Sequence, residues 1–261
     1  MAGATAYALV FAAGLVTALA TGLGALPFFI VETVSARANV ALWGVASGIM
    51  LTASAFGLLP EGLAAGRPVV VAGGLIVGAL FVVVGHAIVD ESEINPRKHE
   101  KREFRRFVLV VGVLTAHSLP EGVAIGVAFA GLTAGGVTSV PSLAVAMTVA
   151  ISVHNVPEGV AISIPLRDAG ASPPRMVGWS VFSSLPQPLG AVLAFGFVRL
   201  AEPLLPFGFG LAAGAMAYLV VAEFIPEALA AGRELSGDGL PELAAGIATG
   251  GLGMGMLLVA V

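Results

Sequence analysis

Residues 143 to 166 read LAVAMTVAISVHNVPEGVAISIPL, an apolar run with one histidine, His154, and one carboxylate, Glu158, near its middle. At about 1.5 Å per residue a helix of this length crosses a hydrocarbon core of roughly 30 Å. An ionisable group at mid-membrane costs several kcal/mol, on the order of 3 by insertion scales, so it faces a protein interior or a cavity and marks function. The rest of the chain must therefore supply spans that enclose this one.

It does so on both sides. Apolar runs fall at about 5–30, 40–62, 68–90, 107–130, 143–166, 175–198, 206–229 and 241–260, which predicts eight transmembrane helices. Overall, 57% of residues are hydrophobic and only 11% charged, against about 25% charge in a soluble domain. Mean hydropathy is +0.99. The runs are long and continuous, without the alternation of a barrel strand, so the fold class is all-α and polytopic. Thirty-five glycines let such helices approach closely in lipid. One transmembrane domain over 1–261 is expected.

With no cysteine in the chain, thiolate ligands and disulfides are excluded and a metal site must use N and O donors. No basic residue precedes the first apolar run, so that run is expected to be a span rather than a cleaved signal. If both termini face outward, the cytoplasmic loops hold Arg37, Arg97, Lys98, Lys101, Arg102, Arg105, Arg106, Arg167, Arg175 and Arg233, leaving Arg67 and Arg199 outside. This satisfies the positive-inside rule. The charged loop from Glu91 to Arg106 is then cytoplasmic; its His99 reads as part of a solvated anchor or as a metal-capturing group.

Internal repetition organises the spans. Gly48, Met50 and LPEGLAAGR at 59–67 match Gly214, Met216 and IPEALAAGR at 225–233, and Leu23-Gly24-Ala25 matches Leu189-Gly190-Ala191. The first three spans thus recur in the last three, with opposite direction in the membrane. Between them HSLPEGVAI, from His117, and HNVPEGVAI, from His154, lie on consecutive spans. A 3+2+3 inverted-repeat arrangement is expected, and such symmetry suits alternating access.

His117 and Glu121, like His154 and Glu158, are four residues apart and share one helical face. Two neutral imidazoles and two carboxylates give four ligands and neutralise a dication, as zinc or its neighbours require. Pro120 and Pro157 remove hydrogen bonds from the carbonyls of Ala116 and Val153, which are then free to help desolvate an ion.

The two HxxPEG motifs, SSLPQPLGA at 183–191 and GAMAYLVVAEFIPEAL at 214–229 resemble the ZIP family of divalent metal transporters, in its prokaryotic and organellar branch. The resemblance covers nearly the whole chain. It implies uptake of zinc, and of iron, manganese, cobalt or cadmium, into the cytoplasm through the cell membrane by an elevator-like motion in a homodimer. By motif position it implies a primary metal site of His117, Glu121, His154 and Glu158, with Met50 as a soft neighbour. A second metal in that family calls for Asn at 118, Asn or Asp at 155 and Glu at 187; this chain has Ser118, Asn155 and Gln187, so one metal is expected.

Glu61 and Glu227 read either as relay residues on the ion path or as solvated helix ends, and the deeper Glu223 as functional. His86 has no motif partner and reads as a packed or interfacial histidine. The alternative class is an intramembrane metal-dependent hydrolase, but HExxH is absent and the mirrored ligand set suits passage better than catalysis. A metal sensor or store would have no use for inverted repeats. No GK[ST] phosphate loop is present, so neither a nucleotide nor a nucleic acid partner is expected, no cofactor is implied, and the bilayer and the metal are the partners.

Overall fold

The computed structural model describes residues 2–31, 34–91, 118–132, 140–168, 170–200 and 202–260. His117 and His99, with the loop from 92 to 106, lie outside the described residues, as does the side chain of His86.

Among the described residues the secondary structure is entirely helical. Helix α1 covers Ala2–Leu23 and α2 covers Ala36–Ala65, started by Ser35, whose hydroxyl accepts from the Ala38 amide at 3.3 Å. Then come α3 (Pro68–Glu91), α4 (Ser118–Ala128) and α5 (Ser142–Asp168). The sixth span is broken into α6 (Pro173–Ser183) and α7 (Pro186–Leu200); α8 covers Leu205–Gly232 and α9 covers Leu240–Ala260. Among the described residues six helical stretches, α6 and α7 counted as one, are long and apolar enough to cross a membrane, and Pro68–Val84 and Ser118–Ala128 add shorter apolar stretches at the expected third and fourth spans.

Polarity is arranged for lipid. Large apolar side chains point outward, among them Phe56, Leu193, Leu252 and Val259, while Thr17, Thr21, Glu121, His154, Asn155, Glu158 and Gln187 are buried. In water the reverse distribution would be needed; in a bilayer, polar groups must find partners inside the protein.

Two irregularities were not legible in advance. Both α2 and α8 widen into a π turn, at Ala53–Leu58 and Val220–Phe224, each just ahead of a proline, Pro60 and Pro226. A proline has no amide hydrogen and collides with the carbonyl four residues back, and a wider turn accommodates both defects without ending the helix. Pro157, by contrast, is carried within α5 with no such turn.

Glycine brings helices into backbone contact. Gly44 and Gly48 of α2 lie against the carbonyls of Leu243 and Ile247, and Gly246 and Gly250 of α9 answer against those of Ala41 and Val45. The pair α8–α3 is built alike: Gly210 and Gly214 meet Val71 and Leu75, and Gly74 and Gly78 meet Phe207 and Leu211. A methyl group at any of these eight positions would collide with main chain, so only glycine allows this approach. Around α1 a second group assembles: Gly22 meets Val181 of α6, Gly14 meets Pro188 of α7, and Gly24 meets the backbone of α5. Helix α5 stands between α1 and α2, which puts its His154 and Glu158 inside the protein.

Candidate metal centre

Glu121 comes from the first turns of α4, and His154 and Glu158 from successive turns of one face of α5. All three are at most 1% exposed. His154 Nε2 lies 3.2 Å from Glu121 Oε1 and 3.7 Å from Glu158 Oε1. One ligand atom from each residue falls within 4.8 Å of the others, a spread that a single cation can bridge. Of the four ligands expected from sequence, three are thus brought together; the fourth, His117, precedes the first described residue of α4.

The cluster is incompletely satisfied. His154 Nδ1, Glu158 Oε1 and Asn155 Oδ1 are buried without a hydrogen bond. An unpaired buried polar atom costs roughly 1–3 kcal/mol, so three of them around two carboxylates and an imidazole mark a place built for a ligand with positive charge. The donor set, imidazole nitrogen and carboxylate oxygen without sulfur, suits zinc and its first-row neighbours.

A polar network braces the centre from one side. Gln187, on the first turn of α7, donates to Glu121 Oε2 and accepts from Thr17 Oγ1 at 2.7 Å and from Asn155 Nδ2 at 3.1 Å. Asn155 also donates to the Thr17 carbonyl at 2.7 Å, and Ser118 donates to the Ser183 carbonyl at 3.0 Å. Thr21 and Ser184 share a hydrogen bond of 2.7 Å beside them. Sequence reasoning missed Thr17 and Thr21 as isolated hydroxyls in an apolar span. The repeat carried the signal: aligning Leu23-Gly24-Ala25 with Leu189-Gly190-Ala191 also sets Thr21 opposite Gln187 and Thr17 opposite Ser183.

Met50 is fully buried in the apolar core together with Met216. Glu223 sits half-buried in the π turn of α8. Glu61 and Glu227 are exposed, each beside the proline of its repeat.

Fold and centre together define a multi-pass membrane protein whose interior holds a buried histidine–carboxylate cluster. The sequence profile of the ZIP zinc transporters matches residues 86–258. The zinc transporter GufA of Myxococcus xanthus is 32% identical over 237 residues, covering 85% of this chain and 91% of the relative. Zinc transporter ZIPB of Bordetella bronchiseptica is 34% identical over 226 residues, covering 82% and 71%. A candidate zinc transporter of Arabidopsis thaliana is 41% identical over 215 residues; these cover 82% of this chain but only 33% of that longer protein. The chain belongs to the ZIP family, which consists of transporters rather than enzymes.

Proposed function

We propose that the chain is a single transporter unit that carries zinc, and with lower preference iron, manganese, cobalt or cadmium, across the cell membrane into the cytoplasm. The observation that carries this reading is the sealed Glu121–His154–Glu158 cluster with its unsatisfied ligand atoms. Membership of a zinc transporter family and the names of GufA and ZIPB support zinc as the substrate. His117, four residues before Glu121 in the sequence, completes the ligand set, and two carboxylates balance one dication.

The transport cycle is alternating access in a 3+2+3 inverted repeat with both termini outside. Three features support the repeat: the matched glycine contacts of α2–α9 and α8–α3, the matched π turns, and the matched bonds from Ser118 and Asn155 to Ser183 and Thr17. Placement of ten of the twelve basic residues in cytoplasmic loops supports the orientation. Helices α1 and α4 to α7 move as one body against a frame of α2, α3, α8 and α9. In favour of that division, backbones touch within each group, whereas Gly57 of α2 meets α5 through the Leu143 side chain and Gly208 of α8 meets α4 through Val127. Glu223 relays the ion beside the centre, Met50 is a soft neighbour, and Glu61 and Glu227 act at the two ends of the path. The working form is a homodimer.

Zinc flux into sealed proteoliposomes under an imposed zinc gradient tests the reading. Saturable uptake by the wild type should vanish in Glu121→Ala and His154→Ala at matched incorporation. Undiminished flux in either variant, or no wild-type flux of any of the five metals, would overturn it.

A further inference from the structure

Gln187 is buried at the junction of four helices. Its backbone amide donates to the Ser184 carbonyl at 3.0 Å, and prolines 186 and 188 restrict the chain on either side. The main chain there is gripped from two directions, since a methyl group at Gly14 of α1 would collide with Pro188 and one at Gly122 of α4 with the Gln187 carbonyl. Glu121, the neighbour of Gly122, is therefore held at a fixed distance from the Gln187 amide.

The orientation of that amide follows from its partners. Asn155 Nδ2 donates to both the Thr17 carbonyl and Gln187 Oε1, and the Thr17 hydroxyl shares its hydrogen between Gln187 Oε1 and the Gly14 carbonyl, 2.8 Å away. Two donors converge on Oε1, so this atom is the amide oxygen, and the NH2 group must face Glu121. Turned over, the amide would set donor against donor at Asn155 and oxygen against the carboxylate at Glu121.

We propose that Gln187 is a positioning residue that withdraws one carboxylate oxygen of Glu121 from the metal and so biases the centre toward zinc. Oε2 of Glu121 is bound to the amide, and only Oε1, beside His154 Nε2, is left to meet an ion. A one-oxygen Glu121 suits a four-coordinate ion such as zinc, whereas manganese favours six oxygen-rich ligands and gains from a carboxylate that chelates with both. The chain Thr17–Gln187–Glu121 thus lets α1 set ligand geometry without touching the metal, as outer partners commonly do.

This inference rests on the cluster being the metal site, and its test separates the two. Zinc and manganese binding to the full chain in detergent would be measured by titration calorimetry, with zinc-edge X-ray absorption on the loaded protein. Wild-type zinc binding that is lost in Glu121→Ala upholds the site itself; zinc bound equally by both, or by neither, overturns the site and this inference with it. Gln187→Met keeps the side-chain length and removes the amide. Zinc affinity should fall about ten- to a hundredfold, manganese affinity should fall less, and zinc should gain an oxygen neighbour. Thr17→Val touches neither Glu121 nor the ion and should move the zinc-to-manganese ratio the same way by a smaller factor, which keeps the idea testable if Gln187→Met folds poorly. Wild-type ratios and an unchanged zinc environment in whichever variants fold would sink it.

Discussion

Glu158 is the residue at which binding and stability pull in opposite directions. Its Oε1 is buried without a hydrogen bond, 3.7 Å from His154 Nε2, which also faces Glu121 at 3.2 Å. Without an ion, two carboxylates share one imidazole, and a buried charge lacking full compensation is expensive. Glu158→Gln replaces a buried ionisable carboxyl with a neutral amide and adds donors. The variant should therefore unfold at a higher temperature than wild type in chelator, by about 2–4 °C for each kcal/mol recovered, while losing most of the stabilisation that excess zinc gives wild type through mass action. Thermal unfolding in detergent with and without zinc checks both halves; a lower melting point in chelator, or a retained zinc shift, contradicts them. The buried cluster residues Glu121, His154 and Glu158 were readable as candidates from spacing alone, because a histidine and a glutamate four apart in an apolar run have few other uses. Thr17 was not, since a threonine in a span satisfies itself on its own helix and only packing shows what else it meets.

At the scale of the element, small residues decide where helices sit. Gly159 follows Glu158 on α5, and a methyl group there would collide with the Thr21 carbonyl of α1. Gly159→Ala should push the two helices apart, destabilise by about 1–3 kcal/mol and weaken zinc binding, because the same displacement moves Asn155 away from Thr17. Gly178 on α6 has nothing within 4 Å, so Gly178→Ala should be neutral or stabilising by up to about 1 kcal/mol from helix propensity. Denaturant titration of the pair gives the comparison, and equal effects would show that the α1–α5 contact is not tight. Six of the apolar runs match long apolar helices to within a few residues, but the break at Ser184–Leu185 and the two π turns did not show. Pro60, Pro157 and Pro226 look alike in sequence, and whether a proline is absorbed by a wide turn or carried within an α-helix depends on neighbours that can take up the freed carbonyl.

For the whole molecule, the proposed motion requires some helix pairs to be rigid and others to slide. A chain without cysteine permits this to be tested by introduced thiols alone. Thr52 Oγ1 lies 3.1 Å from where a side chain at Gly251 would begin, close to disulfide geometry, so Thr52→Cys with Gly251→Cys should form a disulfide within the α2–α9 pair and leave zinc flux unchanged. Gly57→Cys with Leu143→Cys, bridged by a short bis-methanethiosulfonate that forms a reducible disulfide with each cysteine, ties α2 to α5 and should abolish flux reversibly. Flux in proteoliposomes before and after reduction reads both; full activity with the second tether in place would rule out sliding at that boundary.

The sequence by itself determined the solvent, the long apolar helices, the duplicated motif and the candidate cluster residues, because each depends on composition or on spacing within one helix. The repeat, too, was written in matched segments a whole bundle apart. What only the tertiary structure decided was the company those residues keep. Glu121 and His154 meet because glycines at 24, 122, 159 and 190 let α1, α4, α5 and α7 close to backbone distance around them. Gln187 faces Glu121 because Thr17 and Asn155, from two other helices, fix its amide. Contacts of this kind join residues far apart in the chain and depend on the direction of hydrogen bonds, neither of which a local pattern can express.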